Sequence, residues 1–147
     1  RIYSESLGVS SMILRFFSLY YGYQNYEKPI KSFINIYTGK NRDLEQQSEE
    51  ELNNLFSKAI DVIIKFIGRN AFRPKKAFTS AIFDAVMIGI AKRINENSKM
   101  PNGSKVKAQY KKLLTTEDFI NSISERTSDK EKVLNRIEMA IKYFKNT

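Results

Sequence analysis

The 147-residue sequence contains no cysteine and no histidine. Because disulfides, thiolate nucleophiles and Ser-His-Asp triads each require one of these residues, this chain cannot build any of them. The thiolate and imidazole ligands of zinc sites and of histidine-metal nuclease sites are missing for the same reason. Carboxylates, lysines, tyrosines and hydroxyl groups are what remains for chemistry, and we expect no metal and no cofactor.

Phosphate-binding loops and membrane spans are also missing from the sequence. Neither G-x-x-x-x-G-K nor G-x-G-x-x-G occurs. No apolar run approaches the roughly 20 residues that cross a bilayer, so we expect no membrane partner. The chain begins at an arginine, and its first residues lack the charged, apolar and small-residue order of a signal peptide. We therefore expect a cytoplasmic protein, and a fragment of a larger one.

Apolar residues recur at intervals of three and four along most of the chain, which predicts helices. Ser48 and Glu51 match a capping box, and Gly68 is predicted to end the helix that follows. Residues 78–94 are apolar on nearly every side, as in a central helix, and Ser128 with Glu131 matches a second capping box. Since no strand pattern competes, we predict an all-α protein, an irregular bundle of six or seven helices.

The length suits one domain of ordinary size. The stretch NENSKMPNGSK, with Pro101, Asn102 and Gly103, is the strongest internal loop signal. The segments on either side of it are each small for a self-sufficient core. We predict a single helical domain over residues 1–147, with a candidate subdomain break near 98–104.

Positive charge is concentrated in the middle of the chain. The 25 basic and 16 acidic residues give a net charge of +9. Residues 65–112 hold 12 basic residues against Asp84 and Glu96, or +10, and the remainder holds 13 against 14, or −1. Such a segment is typical of phosphate binding. A solvent-exposed, lysine-rich surface that binds no partner would have the same composition. The candidate nucleic-acid-binding residues are Arg69, Lys75, Lys76, Lys105, Lys107, Lys111 and Lys112.

One aspartate, Asp84, lies within the most apolar run. A buried carboxylate requires a cationic partner to offset desolvation, and Arg15 and Arg73 are the candidates. We interpret Asp84, with Arg15 or Arg73 as its partner, as part of a structural ion pair. No second acidic residue lies nearby in the sequence for acid/base or metal chemistry. The chain is therefore expected not to be an enzyme, while the activity of a parent protein stays open.

Four tyrosines close the first apolar helix: Tyr20, Tyr21, Tyr23 and Tyr26. They have the composition of a stacking surface for unpaired bases, but aromatic residues at the end of an apolar helix are more often packed in a core. We favour packing.

Two stretches resemble a known family: MILRFFSLYYGYQNYEKPIKSFINIYTGKN and IGRNAFRPKKAFTSAIFDAVMIGIA. They are similar to the helical region downstream of the catalytic domain in the domain of unknown function 262 family, which includes GmrSD-type restriction proteins. The resemblance spans about residues 1–91. The resemblance marks Arg15, Asn35, Phe72, Arg73, Phe83 and Asp84, and it carries no catalytic role onto them.

In that family an upstream ParB-like domain bears a D-G-Q-Q-R motif implicated in nucleotide hydrolysis, and some members add a histidine-containing nuclease domain. Neither feature occurs in this sequence. The resemblance therefore implies the helical accessory part of a larger prokaryotic nucleic-acid-targeting or phage-defence protein. Two hypotheses follow: a domain that contacts nucleic acid, or a scaffold that packs against the upstream domain of the same protein or forms a homo-oligomer.

Overall fold

The computed structural model describes the backbone of residues 2–147 and the side chains of residues 11–147. This part of the chain folds into seven α-helices and one short 3-10 helix, and it contains no strand. The elements are α1 (Ile2–Gly22), the 3-10 helix (Tyr23–Asn25), α2 (Ile30–Lys40), α3 (Glu49–Phe66), α4 (Ser80–Glu96), α5 (Gly103–Thr115), α6 (Glu117–Ser124) and α7 (Lys130–Phe144). The predicted all-α bundle of six or seven helices is confirmed.

Helix α4 lies at the centre, as its all-round apolar sequence predicts. Every residue from Ala81 to Ala91 is buried, and α1, α3 and α7 pack around it. Gly89 lies against α7, where an added Cβ would lie 2.9 Å from the backbone carbon and oxygen of Ala140. Glycine at this position allows the two backbones to approach each other.

The predicted ends of α3 agree with the structure. The Ser48 hydroxyl accepts a hydrogen bond from the Glu51 backbone N–H at 3.2 Å, which caps the first turn. At the other end Gly68 has a φ of 117°, and its N–H donates to the Ile63 carbonyl at 2.9 Å. Gly68 suits this position because residues with a side chain rarely adopt such a φ.

The capping box predicted at Ser128 is wrong. Helix α7 begins at Lys130 with Asp129 as its N-cap residue, and no side chain caps it. Ser128 instead contributes its backbone carbonyl, which accepts a 2.6 Å hydrogen bond from the hydroxyl of the buried Tyr26. The N-cap position thus falls one residue later than predicted, at Asp129, and local spacing carries no sign of the contact between Ser128 and Tyr26.

The connection around residues 97–102 joins segments that share one core. Pro101 is buried, and the Asn102 N–H donates to the Thr147 carbonyl at 2.9 Å. The Asn102 side chain accepts from the Lys105 N–H and so caps α5. Val106 and Leu113 of α5 are fully buried in the same apolar core as α4.

Candidate functional site

Asp84 is fully buried, and it forms an ion pair with an arginine, as its apolar sequence context predicts. Arg15 of α1 donates from Nε to Oδ1 at 2.7 Å and from Nη2 to Oδ2 at 2.7 Å. Burial alone would lower the pKa of Arg15, but the hydrogen bonds and charge of Asp84 outweigh it, and the pKa is raised. The pair ties α1 to the centre of the bundle.

A second arginine, Arg136 of α7, also reaches Asp84. Its Nη2 lies 3.5 Å from Oδ2, and its Nη1 donates to the carbonyls of Ser122 at 3.2 Å and Thr127 at 2.7 Å. Arg136 is fully buried, and desolvation lowers its pKa although Asp84 opposes the change. One carboxylate thus contacts two guanidinium groups and joins α1, α4 and α7.

The predicted pairing of Arg73 with Asp84 is wrong. Its side chain is exposed, and within residues 11–147 it makes no ion pair. The neighbouring Phe72 turns inward instead, with its ring 5.0 Å from that of Phe83. Sequence reasoning missed Arg136, although a signal was present: it lies three residues after Val133 and four before Ala140, on the apolar stripe of α7.

The α3–α4 connection, residues 67–79, has a defined shape. The Arg73 N–H donates to the Asn70 carbonyl at 3.0 Å, and the Thr79 N–H donates to the Phe72 carbonyl at 2.8 Å. Ala71 is buried, and its carbonyl accepts a 2.7 Å hydrogen bond from the hydroxyl of Tyr110 in α5. These bonds hold the connection against α5.

The same connection presents four cations to solvent: Arg69, Arg73, Lys75 and Lys76 are all exposed. No acidic residue occurs between residues 68 and 83. Lys76 has a φ of 77°, in the left-handed region that residues with a Cβ rarely adopt. Leu44 and Arg126 also have a positive φ, so this conformation alone assigns no role to Lys76.

The four predicted lysines of α5 do not share one face. Val106 and Leu113 form the buried stripe of this helix. At 100° per residue, Lys107 and Lys111 lie on the side of the stripe that also carries Tyr110, and therefore on the side of the α3–α4 connection. Lys105 and Lys112 lie on the other side, toward α7. All four are exposed.

The rest of the basic 65–112 segment is partly withdrawn from the surface. Arg93 is only 5% exposed and donates to the carbonyls of Asn97 at 2.9 Å and Lys99 at 3.1 Å, beyond the end of α4. Lys92 covers the ring of Tyr20, with its Nζ 4.2 Å from the ring centroid, and burial lowers its pKa. The net charge of +10 therefore does not form one continuous patch.

The tyrosines predicted to pack mostly do so. Tyr20, Tyr23 and Tyr26 are buried, while Tyr21 is 38% exposed and stacks parallel to Tyr37 at 6.3 Å between centroids. An exposed stacking platform made from all four tyrosines is therefore ruled out.

Within the described residues, no group of three or more acidic side chains comes together to hold a metal ion. No helix in that part of the chain is long and apolar enough to cross a membrane. Comparisons of the chain with protein-family models, with curated proteins and with solved structures found no match.

Proposed function

We propose that this helical domain binds the phosphates of nucleic acid and carries out no chemistry itself. The binding surface, here called the elbow surface, consists of the exposed cations on the α3–α4 connection and the adjoining side of α5: Arg69, Arg73, Lys75, Lys76, Lys107 and Lys111. The observation that carries the proposal is the 2.7 Å hydrogen bond from Tyr110 to Ala71, which joins two segments that contain cations and no acidic residue.

The arrangement favours phosphate binding for two physical reasons. Exposed cations without neighbouring carboxylates in their own segments repel one another, and a polyanion relieves that repulsion. The arginines add planar guanidinium groups that bind phosphate oxygens with two hydrogen bonds. Contacts of this kind position a protein on nucleic acid without reading its bases, so we expect little sequence preference.

The resemblance of residues 1–91 to the helical region of the domain of unknown function 262 family supports a place in a larger protein. In that setting the domain holds nucleic acid for a prokaryotic restriction-like or phage-defence system, and another domain performs the reaction. The absence of cysteine and histidine from the chain agrees with a non-catalytic role.

Fluorescence anisotropy tests the proposal, with labelled 5′-hydroxyl duplex and single-stranded DNA and RNA at about 50 mM and about 200 mM salt. The test variant Lys107→Gln/Lys111→Gln removes two cations from the elbow surface. The matched control, Lys31→Gln/Lys40→Gln, removes the same charge from exposed positions of α2.

We expect salt-sensitive binding that weakens about tenfold in the test variant and little in the control. Absence of binding at low salt would overturn the proposal. Equal weakening in both variants would overturn the elbow surface as its location.

Helix α2 favours a second candidate, a scaffold or oligomerisation role. It packs mainly against α1, has no buried residue, and leaves Ile36 59% exposed. A helix without a buried residue leaves most of its surface uncovered, and another domain or a second copy would cover it. Sedimentation velocity over about a hundredfold range of concentration tests the homo-oligomer, because self-association depends on concentration. A monomer throughout that range would count against it.

A further inference from the structure

A pocket of about 430 Å³ lies between α5 and the end of α7, away from the elbow surface. Three lysines line it, Lys105 and Lys112 from α5 and Lys142 from α7. The remaining lining residues are Gln109, Tyr143, Asn146 and Thr147, so no acidic side chain lines the pocket. The charged side chains that line the pocket are therefore all of one sign.

The pocket is built on fixed elements. Leu113 of α5 and Phe144 of α7 are fully buried, which holds the two helices in place. The Tyr143 hydroxyl lies 3.0 Å from the Thr116 hydroxyl, and Lys112 Nζ lies 5.8 Å from the centroid of the Tyr143 ring. Tyr143 therefore joins the end of α5 to α7 and attracts one of the three ammonium groups.

Two of the three lysines, Lys105 and Lys112, lie on a helix without acidic residues, and the third, Lys142, also lines a neighbouring pocket that contains Glu138. Among the ion pairs formed by residues 11–147, none includes Lys105, Lys112 or Lys142. Ammonium groups that line one pocket raise its positive potential. An anion with several acceptor oxygens would relieve the repulsion.

We propose that this pocket binds a phosphate group, as a site separate from the elbow surface. Each ammonium carries three donors, and Gln109 and Asn146 add amide donors, which matches the several charged oxygens of phosphate better than the two of a carboxylate. Lysine suits phosphate as a compact charge that does not require planar geometry. The phosphate comes either from the end of a nucleic-acid strand or from a free phosphate compound.

Titration with inorganic pyrophosphate, followed by backbone amide shifts in nuclear magnetic resonance spectra at low salt, tests the site. The test variant is Lys105→Gln/Lys112→Gln, and Lys31→Gln/Lys40→Gln is the charge-matched control. Thermal unfolding of each variant checks that it folds. We expect shifts at Lys105, Gln109, Lys112 and Lys142, with binding about tenfold weaker in the test variant and unchanged in the control.

Two results would overturn the site: no saturable shifts at the pocket, or the same loss of affinity in the test variant and the control. Should the test variant fail to fold, Lys142→Gln alone replaces it, with Lys31→Gln as its control and the same two criteria. In both sets, the test variant and its control lose the same number of positive charges.

The source of the phosphate is identified with one oligonucleotide carrying either a 5′-phosphate or a 5′-hydroxyl. Tighter binding of the phosphorylated strand, lost in Lys105→Gln/Lys112→Gln, identifies a strand end as the ligand. Pyrophosphate binding with equal affinity for the two strands identifies a free phosphate compound.

The two proposals fail separately. Loss of 5′-hydroxyl strand binding in Lys107→Gln/Lys111→Gln concerns only the elbow surface, whereas pyrophosphate-induced shifts at Lys105, Lys112 and Lys142 that are lost in Lys105→Gln/Lys112→Gln concern only this pocket.

Discussion

The guanidinium of Arg15 lies edge-on to the carboxylate of Asp84, with Nε 2.7 Å from Oδ1 and Nη2 2.7 Å from Oδ2. The two residues are 69 positions apart and join α1 to the central helix α4. On the other side of the same carboxylate, Arg136 approaches Oδ2 at 3.5 Å. Asp84 is therefore the common counter-charge of two arginines, of which Arg136 is completely buried.

Asp84→Asn should destabilise the fold more than the loss of an exposed charge such as that of Arg73. It leaves Arg136 buried without a counter-charge and removes the ion pair of Arg15, a combination that costs about 3–5 kcal/mol. Arg15→Met should cost less, because Arg136 still compensates Asp84 and the Arg15 side chain is already 18% exposed.

Urea unfolding measures both changes, with Arg73→Met as the control. Since Arg73 is exposed and outside the network, its substitution should change the free energy of unfolding by less than about 0.5 kcal/mol. A loss for Arg73→Met equal to that for Arg15→Met would contradict the assignment.

Gly89→Ala should separate α4 from α7. The new Cβ would meet the Ala140 backbone at 2.9 Å, and backbone atoms cannot move aside as a flexible side chain does. We expect a loss of about 1–3 kcal/mol from overpacking, measured by urea unfolding. Gly39→Ala is the matched control, since nothing lies within 4 Å of its Cβ position in α2 and alanine favours helix there. Equal effects of the two substitutions would contradict the close contact.

Lys76→Gly should have opposite effects on stability and on binding. Glycine adopts a φ of 77° without the Cβ strain that lysine carries there, so the free energy of unfolding should rise by about 0.5–1 kcal/mol. The lost cation should weaken binding of 5′-hydroxyl nucleic acid. Thermal unfolding and anisotropy measure the two effects. A variant that binds weakly because it is less stable would contradict the proposed role of Lys76.

The ion pair between Lys28 and Asp129 should stabilise the fold only above acidic pH. A 2.9 Å hydrogen bond from Lys28 is the main reason that the pKa of Asp129 lies below its ordinary value of 3.8. Because the folded pKa is the lower one, the stabilisation is complete above the unfolded pKa and is lost as pH falls through the folded pKa.

Thermal unfolding of Lys28→Gln should therefore show a small loss at about pH 6 that disappears near about pH 2. Lys31→Gln removes the same charge from a residue outside the ion pairs of residues 11–147 and corrects for general repulsion in acid. A loss that persists unchanged at low pH would contradict the mechanism.

Local signals predicted much of the fold. Ser48 and Gly68 marked the ends of α3 because capping and a positive φ depend on only a few neighbouring residues. The uniform apolar content around Asp84 indicated that α4 is central and that this carboxylate needs an arginine. Ser128 and Glu131 have the same spacing as Ser48 and Glu51, but α7 has Asp129 as its N-cap residue, so the same local pattern gave a wrong prediction there.

The candidate site divides in the same way. Composition identified the basic segment, and residue type identified which side chains suit phosphate. Composition does not tell which way a side chain points. It therefore did not reveal that Arg93 is buried. Nor did it reveal that Lys105 and Lys112 lie on the opposite side of the buried stripe from Lys107 and Lys111. Helical phase assigns those sides only after packing has shown that Val106 and Leu113 face inward.

By itself, the sequence determined the helical class, the central helix and the absence of thiol and imidazole chemistry, because periodicity and residue type act locally or through composition. Tertiary structure alone decided that Arg136 shares Asp84 with Arg15, and that Lys142 joins Lys105 and Lys112 around one pocket. These residues are brought together by the packing of α1, α4, α5 and α7, and burial decides which charges must be paired and which remain free for a ligand.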